Sequence, residues 1–220
     1  EIECSCVALG TWELAGNVWG AVDEQEAVKI IHAALDSGIT LVDTAASYGA
    51  GRSENIVGEA LKGRRDKVVL STKGGAHVNP AINNMDHDLS AAAIRHDVDE
   101  SLSRLKTDYI DLFFFHYPDP NTPIAESIGT MEELRKEGKI RMIGLSNYSQ
   151  EELAEAMQYG TIDCAQFRYS MLTRENENLV KFCDENKVGV LSYASLAGGM
   201  LSGAYKTEPT FAEGDRRTFF

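Results

Sequence analysis

Cysteine is scarce in this chain, which has only four: Cys4, Cys6, Cys164 and Cys183. A disulfide-stapled fold needs a denser set of cysteines in a shorter chain, so we expect these thiols to be reduced. The paired C-x-x-C elements of a structural zinc site are also missing. The cysteines therefore predict packing roles, and the sequence predicts no metal site.

Positive charge and long apolar runs are scarce as well. The formal net charge is −13 and Lys and Arg do not cluster, which predicts no nucleic-acid partner. No apolar run reaches the ~20 residues that a membrane helix needs, so no membrane partner is predicted. The chain opens on a short polar stretch that does not resemble a signal peptide, which favours a cytoplasmic setting.

Sequence fingerprints for phosphate binding are missing too, since there is neither a G-x-G-x-x-G after the first strand nor a Walker loop. What the chain has instead is an alternation of apolar strand candidates with helical stripes of period 3.6. Helix caps are predicted at Asp23, at Ser53 and at Ser149, the last with Glu152 as a capping box. The seven strand candidates are residues 6–9, 41–45, 68–72, 110–115, 142–145, 165–169 and 188–193.

This alternation predicts an α/β fold with a parallel sheet, either doubly wound or closed into a (β/α)8 TIM barrel. Polar residues at the ends of several different strands favour the barrel, whose active sites lie at that rim. A barrel with only seven strands would leave two unpaired edges, so the eighth unit is expected to be missing. We therefore expect residues 1–220 to form a single barrel domain, truncated at its C-terminus.

Four polar residues lie at or just beyond the ends of these strands: Asp43, Tyr48, Lys73 and His116. A tyrosine hydroxyl has a pKa near ~10, so proton exchange at neutral pH needs a nearby cation that stabilises its phenolate. Lys73 would supply that cation, Asp43 would hold Lys73 charged, and His116 would donate a hydrogen bond to a substrate oxygen. Such a set suits protonation of a developing alkoxide while a cofactor delivers hydride.

The local sequences around these residues resemble those of the aldo-keto reductases along essentially the whole chain. The resemblance implies that Tyr48 is the general acid, that Lys73 and Asp43 tune it, and that His116 positions the carbonyl. The matching motifs, in chain order, are Gly10-Thr11-Trp12, Asp43-Thr44-Ala45, Tyr48-Gly49, Ser53-Glu54, Ser71-Thr72-Lys73, residues 111–118 and Gly144-Leu145-Ser146-Asn147-Tyr148.

The same resemblance implies a nicotinamide cofactor, NADP(H) by preference and NAD(H) as the alternative. Ser146, Asn147 and Gln166 match positions that bind the carboxamide, Tyr193 matches an aromatic that stacks on the ring, and the loop at 195–203 matches one that wraps the pyrophosphate. In full, the implied cofactor-binding residues are Thr11, Trp12, Asp43, Ser146, Asn147, Gln166, Tyr193, Ala194, Ser195, Leu196, Ala197, Gly198, Gly203 and Arg217. One departure is Ala204, where relatives often have Lys.

A small-molecule carbonyl or alcohol is the expected substrate. Its pocket is assigned to Trp12, Trp19, Tyr48, His116 and Tyr117, together with the long segment at 75–88 after the third strand. Packing of a surface loop is an equally good interpretation of Trp19. Two histidines of the long segment, His77 and His87, are expected to be solvated.

Two alternatives stay open beside the enzyme. Potassium-channel beta subunits share the resemblance, which makes a cofactor-binding regulatory subunit the second hypothesis. Several of those relatives alter the catalytic histidine, whereas His116 is retained here, and this favours an NAD(P)H-dependent reductase. A third possibility is a fragment that neither binds cofactor tightly nor turns over. The sequence leaves the oligomeric state open.

Overall fold

The computed structural model describes residues 2–16, 20–79, 84–207 and 209–211. The strands in this part of the chain are Ala8–Gly10 (β1), Leu41–Asp43 (β2), Val69–Gly74 (β3), Ala76–Asn79 (β4), Asn84–His87 (β5), Ile110–Phe115 (β6), Ile140–Ser146 (β7), Cys164–Arg168 (β8) and Gly189–Tyr193 (β9). The α-helices are Glu24–Asp36 (α1), Arg52–Ala60 (α2), Ala91–Leu105 (α3), Ile124–Lys136 (α4), Gln150–Ala156 (α5) and Glu177–Glu185 (α6).

Seven of these strands form one curled parallel sheet in the order β1-β2-β3-β6-β7-β8-β9. Each neighbouring pair is parallel, and a helix follows every strand from β2 to β8 in that sheet. The sheet is therefore part of a (β/α)8 barrel, with β1 and β9 at its two edges. The predicted fold class and all seven predicted strands are confirmed.

The β4–β5 hairpin is the element that the sequence did not predict. Ala76 pairs with His87 and His77 pairs with Asp86 in an antiparallel ladder, where a long irregular segment was expected. Three-residue turns of 3₁₀ helix complete the fold at Glu13–Ala15 and Arg65–Lys67, and a longer one lies at Ala197–Ser202.

Two of the three predicted N-cap residues, Asp23 and Ser149, cap helices in the structure. The Asp23 side chain accepts a hydrogen bond from the Glu26 backbone at 3.0 Å, and Ser149 forms the capping box with Glu152. The prediction for α2 is wrong, because the helix begins one residue before Ser53, whose hydroxyl is buried and bonds to Thr11 instead of capping.

The core lies on both faces of the sheet, as a parallel sheet requires. Phe113 and Phe115 point outward into the large cluster between sheet and helices, whereas Phe114 belongs to a smaller cluster inside the curl. Gly144 lies opposite Phe114 in the next strand, and a Cβ there would be 2.3 Å from the Phe114 ring. The absence of a side chain at Gly144 therefore leaves the space that the Phe114 ring fills inside the curl.

No helix within the described ranges is long and apolar enough to cross a bilayer.

Candidate active site

The side chains of Asp43, Tyr48, Lys73 and His116 meet at the C-terminal rim of the sheet. Asp43 is the last residue of β2, Lys73 is the second-last residue of β3, and His116 directly follows β6. The Lys73 Nζ atom lies 2.7 Å from Asp43 Oδ2 and 3.2 Å from the Tyr48 hydroxyl oxygen. The Tyr48 and His116 rings meet edge to face with their centroids 5.8 Å apart.

The Lys73 ammonium is buried and its hydrogen bonds are complete. Its side chain is only 1% exposed, and its third contact is the backbone oxygen of Thr44 at 2.8 Å. Three N–H donors therefore meet three oxygen acceptors. Asp43 is held in turn by the Ser71 hydroxyl, which donates to Oδ1 at 2.6 Å. Because Lys73 donates to the Tyr48 oxygen, the phenol's own proton is left to donate elsewhere.

Burial and charge act in opposite directions on the pKa values of this pair. Burial opposes the charged form of Lys73, but Asp43 and Tyr48 outweigh it and the pKa of Lys73 is raised. For Tyr48 burial is the largest effect and raises the pKa, while the Lys73 charge lowers it without cancelling the rise. Tyr48 is therefore a neutral proton donor at neutral pH. The sequence predicted that Lys73 lowers the pKa of Tyr48, but not that burial raises this pKa by more.

His116 is held neutral at physiological pH. Burial, followed by the charges of Lys73 and His87, lowers its pKa from 6.5 to about 3. Its Nδ1 atom lies 3.2 Å from the Ser47 hydroxyl oxygen. When Ser47 donates to Nδ1, the ring proton is on Nε2, which then becomes the hydrogen-bond donor.

A second row of polar groups lies beside the first, at the ends of β7, β8 and β9. Asn147 has a left-handed backbone with φ of 64°, and its amide nitrogen donates to the His116 backbone oxygen at 2.9 Å. Ser146 donates to the Gln166 side-chain oxygen at 3.3 Å, and the Tyr193 hydroxyl donates to the Asn147 amide oxygen at 2.8 Å. These four residues therefore form one connected set adjoining His116.

The loop after β9 has an unusual run of left-handed backbone. Ala194 and Ala197 have φ of 54° and 48°, although neither is glycine. The left-handed glycines of the same loop are Gly198, Gly199 and Gly203. Three N–H groups of the loop form hydrogen bonds within it: that of Ala197 donates to the Ala194 carbonyl at 2.8 Å, and those of Gly199 and Leu201 donate to the Leu196 carbonyl at 3.0 and 3.1 Å. Leu196 is exposed on this loop, and the Ser195 hydroxyl lies 3.0 Å from that of Ser192.

Other predicted site residues have distinct positions. The Trp12 ring lies 6.3 Å from the Tyr48 ring, and Tyr117 stacks on His116 at 4.9 Å. Thr11 is fully buried, and its hydroxyl donates to the Asp43 backbone oxygen at 3.0 Å. Trp19 and Arg217 lie outside the described residues.

Two members of the site were not found from the sequence. Ser47 was overlooked, and its position directly before Tyr48 was the only available signal. His87 was expected to be solvated, and this is wrong: it is half-buried and its ring stacks on Tyr117 at 5.2 Å. His77 does stay about half exposed, with its ring nitrogen 3.4 Å from Asp97.

No group of three or more His, Cys, Asp or Glu side chains suited to a metal ion occurs in the part of the chain that the structure describes.

Comparison with known families and proteins gives a consistent result. The model of the Aldo/keto reductase family matches residues 7–220. Aldo-keto reductase YhdN of Bacillus subtilis is 44% identical over 217 residues, which are 97% of this chain and 65% of that protein. The NADH-specific methylglyoxal reductase of Escherichia coli is 39% identical over 218 residues, 92% of this chain and 67% of that protein.

Solved structures of high similarity support the same assignment. The glycerol dehydrogenase AKR11B4 from Gluconobacter oxydans superposes with a TM-score of 0.91 at 39% identity, covering 99% of this chain and 68% of that one. An aldo/keto reductase from Klebsiella pneumoniae in complex with NADP and acetate gives a TM-score of 0.75 at 33% identity, covering 87% and 64%. This chain thus spans roughly two thirds of the length of these similar proteins.

Proposed function

The chain belongs to the aldo/keto reductase family, and from this premise we propose that it is an NAD(P)H-dependent oxidoreductase of aldehydes, ketones or the corresponding alcohols. The observation that carries the proposal is the buried Lys73 ammonium, which touches both Asp43 and the Tyr48 hydroxyl. A phenol so placed can exchange a proton with a substrate oxygen, which is the acid–base half of carbonyl reduction.

Each of the four rim residues has a role in this proposal. Tyr48 donates its proton to the oxygen that becomes the alcohol, and accepts it back in the oxidative direction. Lys73 stabilises the phenolate left behind, and Asp43 holds Lys73 charged. His116, neutral and with its proton on Nε2, donates a hydrogen bond that orients the substrate oxygen toward Tyr48.

The chemistry of the second row fits a nicotinamide. A carboxamide has both donors and acceptors, and the amide and hydroxyl groups of Ser146, Asn147 and Gln166 offer both kinds of partner in one row. Tyr193 presents a ring beside them, and the loop that follows matches the one that wraps the pyrophosphate in the family, with small residues that let a backbone approach an anion closely. A bound reduced nicotinamide would supply the hydride.

We propose NADP(H) as the cofactor, with NAD(H) as the alternative. The names of the relatives support both: one is an NADH-specific methylglyoxal reductase, and one solved structure contains NADP. The same names, methylglyoxal reductase and glycerol dehydrogenase, favour a small, polar carbonyl or alcohol as the substrate class. The single-domain arrangement of residues 1–220 and the cytoplasmic setting are also proposals.

Turnover and binding, measured together, test the proposal. We expect the chain to consume reduced dinucleotide when methylglyoxal is added, and to reduce NADP⁺ or NAD⁺ when glycerol is added. Tyr48→Phe should lower kcat by about 10²- to 10⁴-fold, while either dinucleotide still raises the melting temperature of the variant. Binding without turnover in the wild-type chain would favour the regulatory alternative, and neither binding nor turnover would contradict both.

A further inference from the structure

Three flat rings form a continuous stack beside the rim. His87, in the β4–β5 hairpin, stacks on Tyr117 with centroids 5.2 Å apart and planes at 14°. Tyr117 stacks in turn on His116 with centroids 4.9 Å apart and planes again at 14°. The hairpin is thereby connected through Tyr117 to His116, whose ring lies against that of the proposed proton donor, Tyr48.

The base of the hairpin is firmly attached to the end of β3. The Gly75 N–H donates to Asp97 Oδ2 at 2.7 Å, and the Gly75 carbonyl accepts from the Asp88 N–H at 3.2 Å. Gly75 has φ of +77°, and a Cβ there would be 2.2 Å from a Leu89 methyl carbon, so the turn requires glycine. Ala76 then pairs with His87. The position of the His87 backbone is therefore fixed relative to Lys73, two residues before Gly75.

The remaining contacts of His116 leave one face of its ring to this stack. Ser47 meets its Nδ1 edge, and the Tyr48 ring approaches it edge to face. On another side the His116 ring is stacked on Tyr117, and Tyr117 lies between the two imidazole rings of His87 and His116. Ring stacking contributes beyond the area that it buries, so removal of the outer ring takes from Tyr117 one of its two stacking contacts and loosens its hold on His116.

We propose that His87 is a positioning residue for His116, acting through the ring of Tyr117. It sets the plane of the imidazole and hence the direction in which Nε2–H points at a substrate oxygen. This inference rests on the proposed function for its effect on turnover, but the geometry of the stack does not depend on it. What His87 supplies is a flat ring against Tyr117, so another flat ring should replace it.

Three substitutions in the full chain test this role. His87→Ala removes the outer ring, His87→Phe keeps a flat ring there, and Val78→Ala shortens an exposed side chain of the same hairpin that lies outside the stack. Steady-state kinetics with methylglyoxal give kcat and KM, and titration gives dinucleotide affinity. The ring resonances of His116, observed by NMR, report the imidazole orientation without any turnover.

We expect His87→Ala to lower kcat about tenfold through misdirection of the donor, with dinucleotide affinity within about twofold of wild type. The His116 ring resonances should shift in His87→Ala and return to their wild-type positions in His87→Phe, while Val78→Ala matches wild type throughout. Unchanged His116 resonances in His87→Ala, or a His87→Phe variant that behaves like His87→Ala, would overturn the proposal. If the wild-type chain turns nothing over and the resonances still shift, the positioning role stands and the proposed function fails.

Discussion

The Nζ atom of Lys73 lies 3.2 Å from the hydroxyl oxygen of Tyr48 and 4.9 Å from the centroid of its ring. The ammonium donates a hydrogen bond to the phenol oxygen. Its positive charge is the main influence that lowers the pKa of Tyr48 against the rise caused by burial. Both directions of the proposed reaction depend on this contact. Proton donation needs the neutral phenol, and proton acceptance needs the phenolate that Lys73 stabilises.

Replacing Lys73 with methionine should therefore impair chemistry more than binding. We expect Lys73→Met to lower kcat by about 10²- to 10³-fold, because it removes a preorganised charge from a buried site. Since the lowering effect of Lys73 on the pKa of Tyr48 is lost, the pKa should rise further. In the alcohol-oxidation direction, the rising limb of the pH–kcat profile should then move to higher pH.

The exposed Lys29, which pairs with Glu26 in the first turns of α1, provides the matched control. Lys29→Met should keep the wild-type pH–kcat profile. An unshifted rising limb in Lys73→Met, or a loss confined to dinucleotide affinity, would contradict the role given to Lys73.

Ser47 and His116 form a second testable pair. Because the Ser47 hydroxyl meets Nδ1 at 3.2 Å, its removal frees the neutral imidazole to place its proton on either nitrogen. We expect Ser47→Ala to lower kcat about three- to tenfold, as for the loss of one net hydrogen bond, and Ser47→Thr, which keeps the hydroxyl, to recover most of it. Nitrogen-15 shifts of the His116 ring measure the tautomer directly. A tautomer that stays on Nε2 in Ser47→Ala would show that Ser47 does not select it.

The buried, neutral state of His116 should also make stability depend on pH. Its pKa is about 3 in the folded chain against the ordinary 6.5, so between these values the unfolded chain binds more protons. This contribution to stability is fully present above pH 6.5 and is lost as the pH falls toward 3. In His116→Phe, the slope of unfolding free energy against pH in this window should be shallower by up to about 1.4 kcal/mol per pH unit.

Urea unfolding across that window measures the slope, with His96→Phe, at an exposed position of α3, as the matched control. The control should keep the wild-type slope. Equal slopes for wild type and His116→Phe would show that His116 is not the residue responsible.

The sequence predicted the sheet because its signals are local. Each parallel strand is a short apolar run between helical stripes, as at 110–115, where the predicted bounds equal those of β6. The meeting of Asp43, Lys73 and His116 followed from the same reasoning, since all three lie at the C-terminal ends of strands that share one rim. Tyr48 was predicted with them as a residue just beyond the end of the second strand, and the family resemblance then implied its role as the general acid.

The features that the sequence did not predict arise from contacts between distant segments. The β4–β5 hairpin has only a short strand signal, because β4 alternates Ala76 and Val78 with polar residues over four positions and β5 has Met85 as its one apolar residue. His87 has its place because of Tyr117, thirty positions further along. The balance between burial and the Lys73 charge at Tyr48 depends on how completely the rim is covered, which residue order does not specify.

We expect the buried carboxylate of Glu54 to contribute to the stability of the fold and to take no part in the proposed reaction. Glu54 in α2 is fully buried and accepts from Arg104 Nε and from the Thr72 hydroxyl, both at 2.6 Å, which ties α2 and α3 to the outward face of β3. Removing one member of a buried ion pair leaves the other uncompensated, so Glu54→Ala should lower the free energy of unfolding by about 3–5 kcal/mol. Asp99→Ala, which breaks the exposed contact with Lys139, should cost at most about 1 kcal/mol. Urea unfolding of both variants provides the comparison, and equal losses would mean that the Glu54 pair has no more effect than a surface contact.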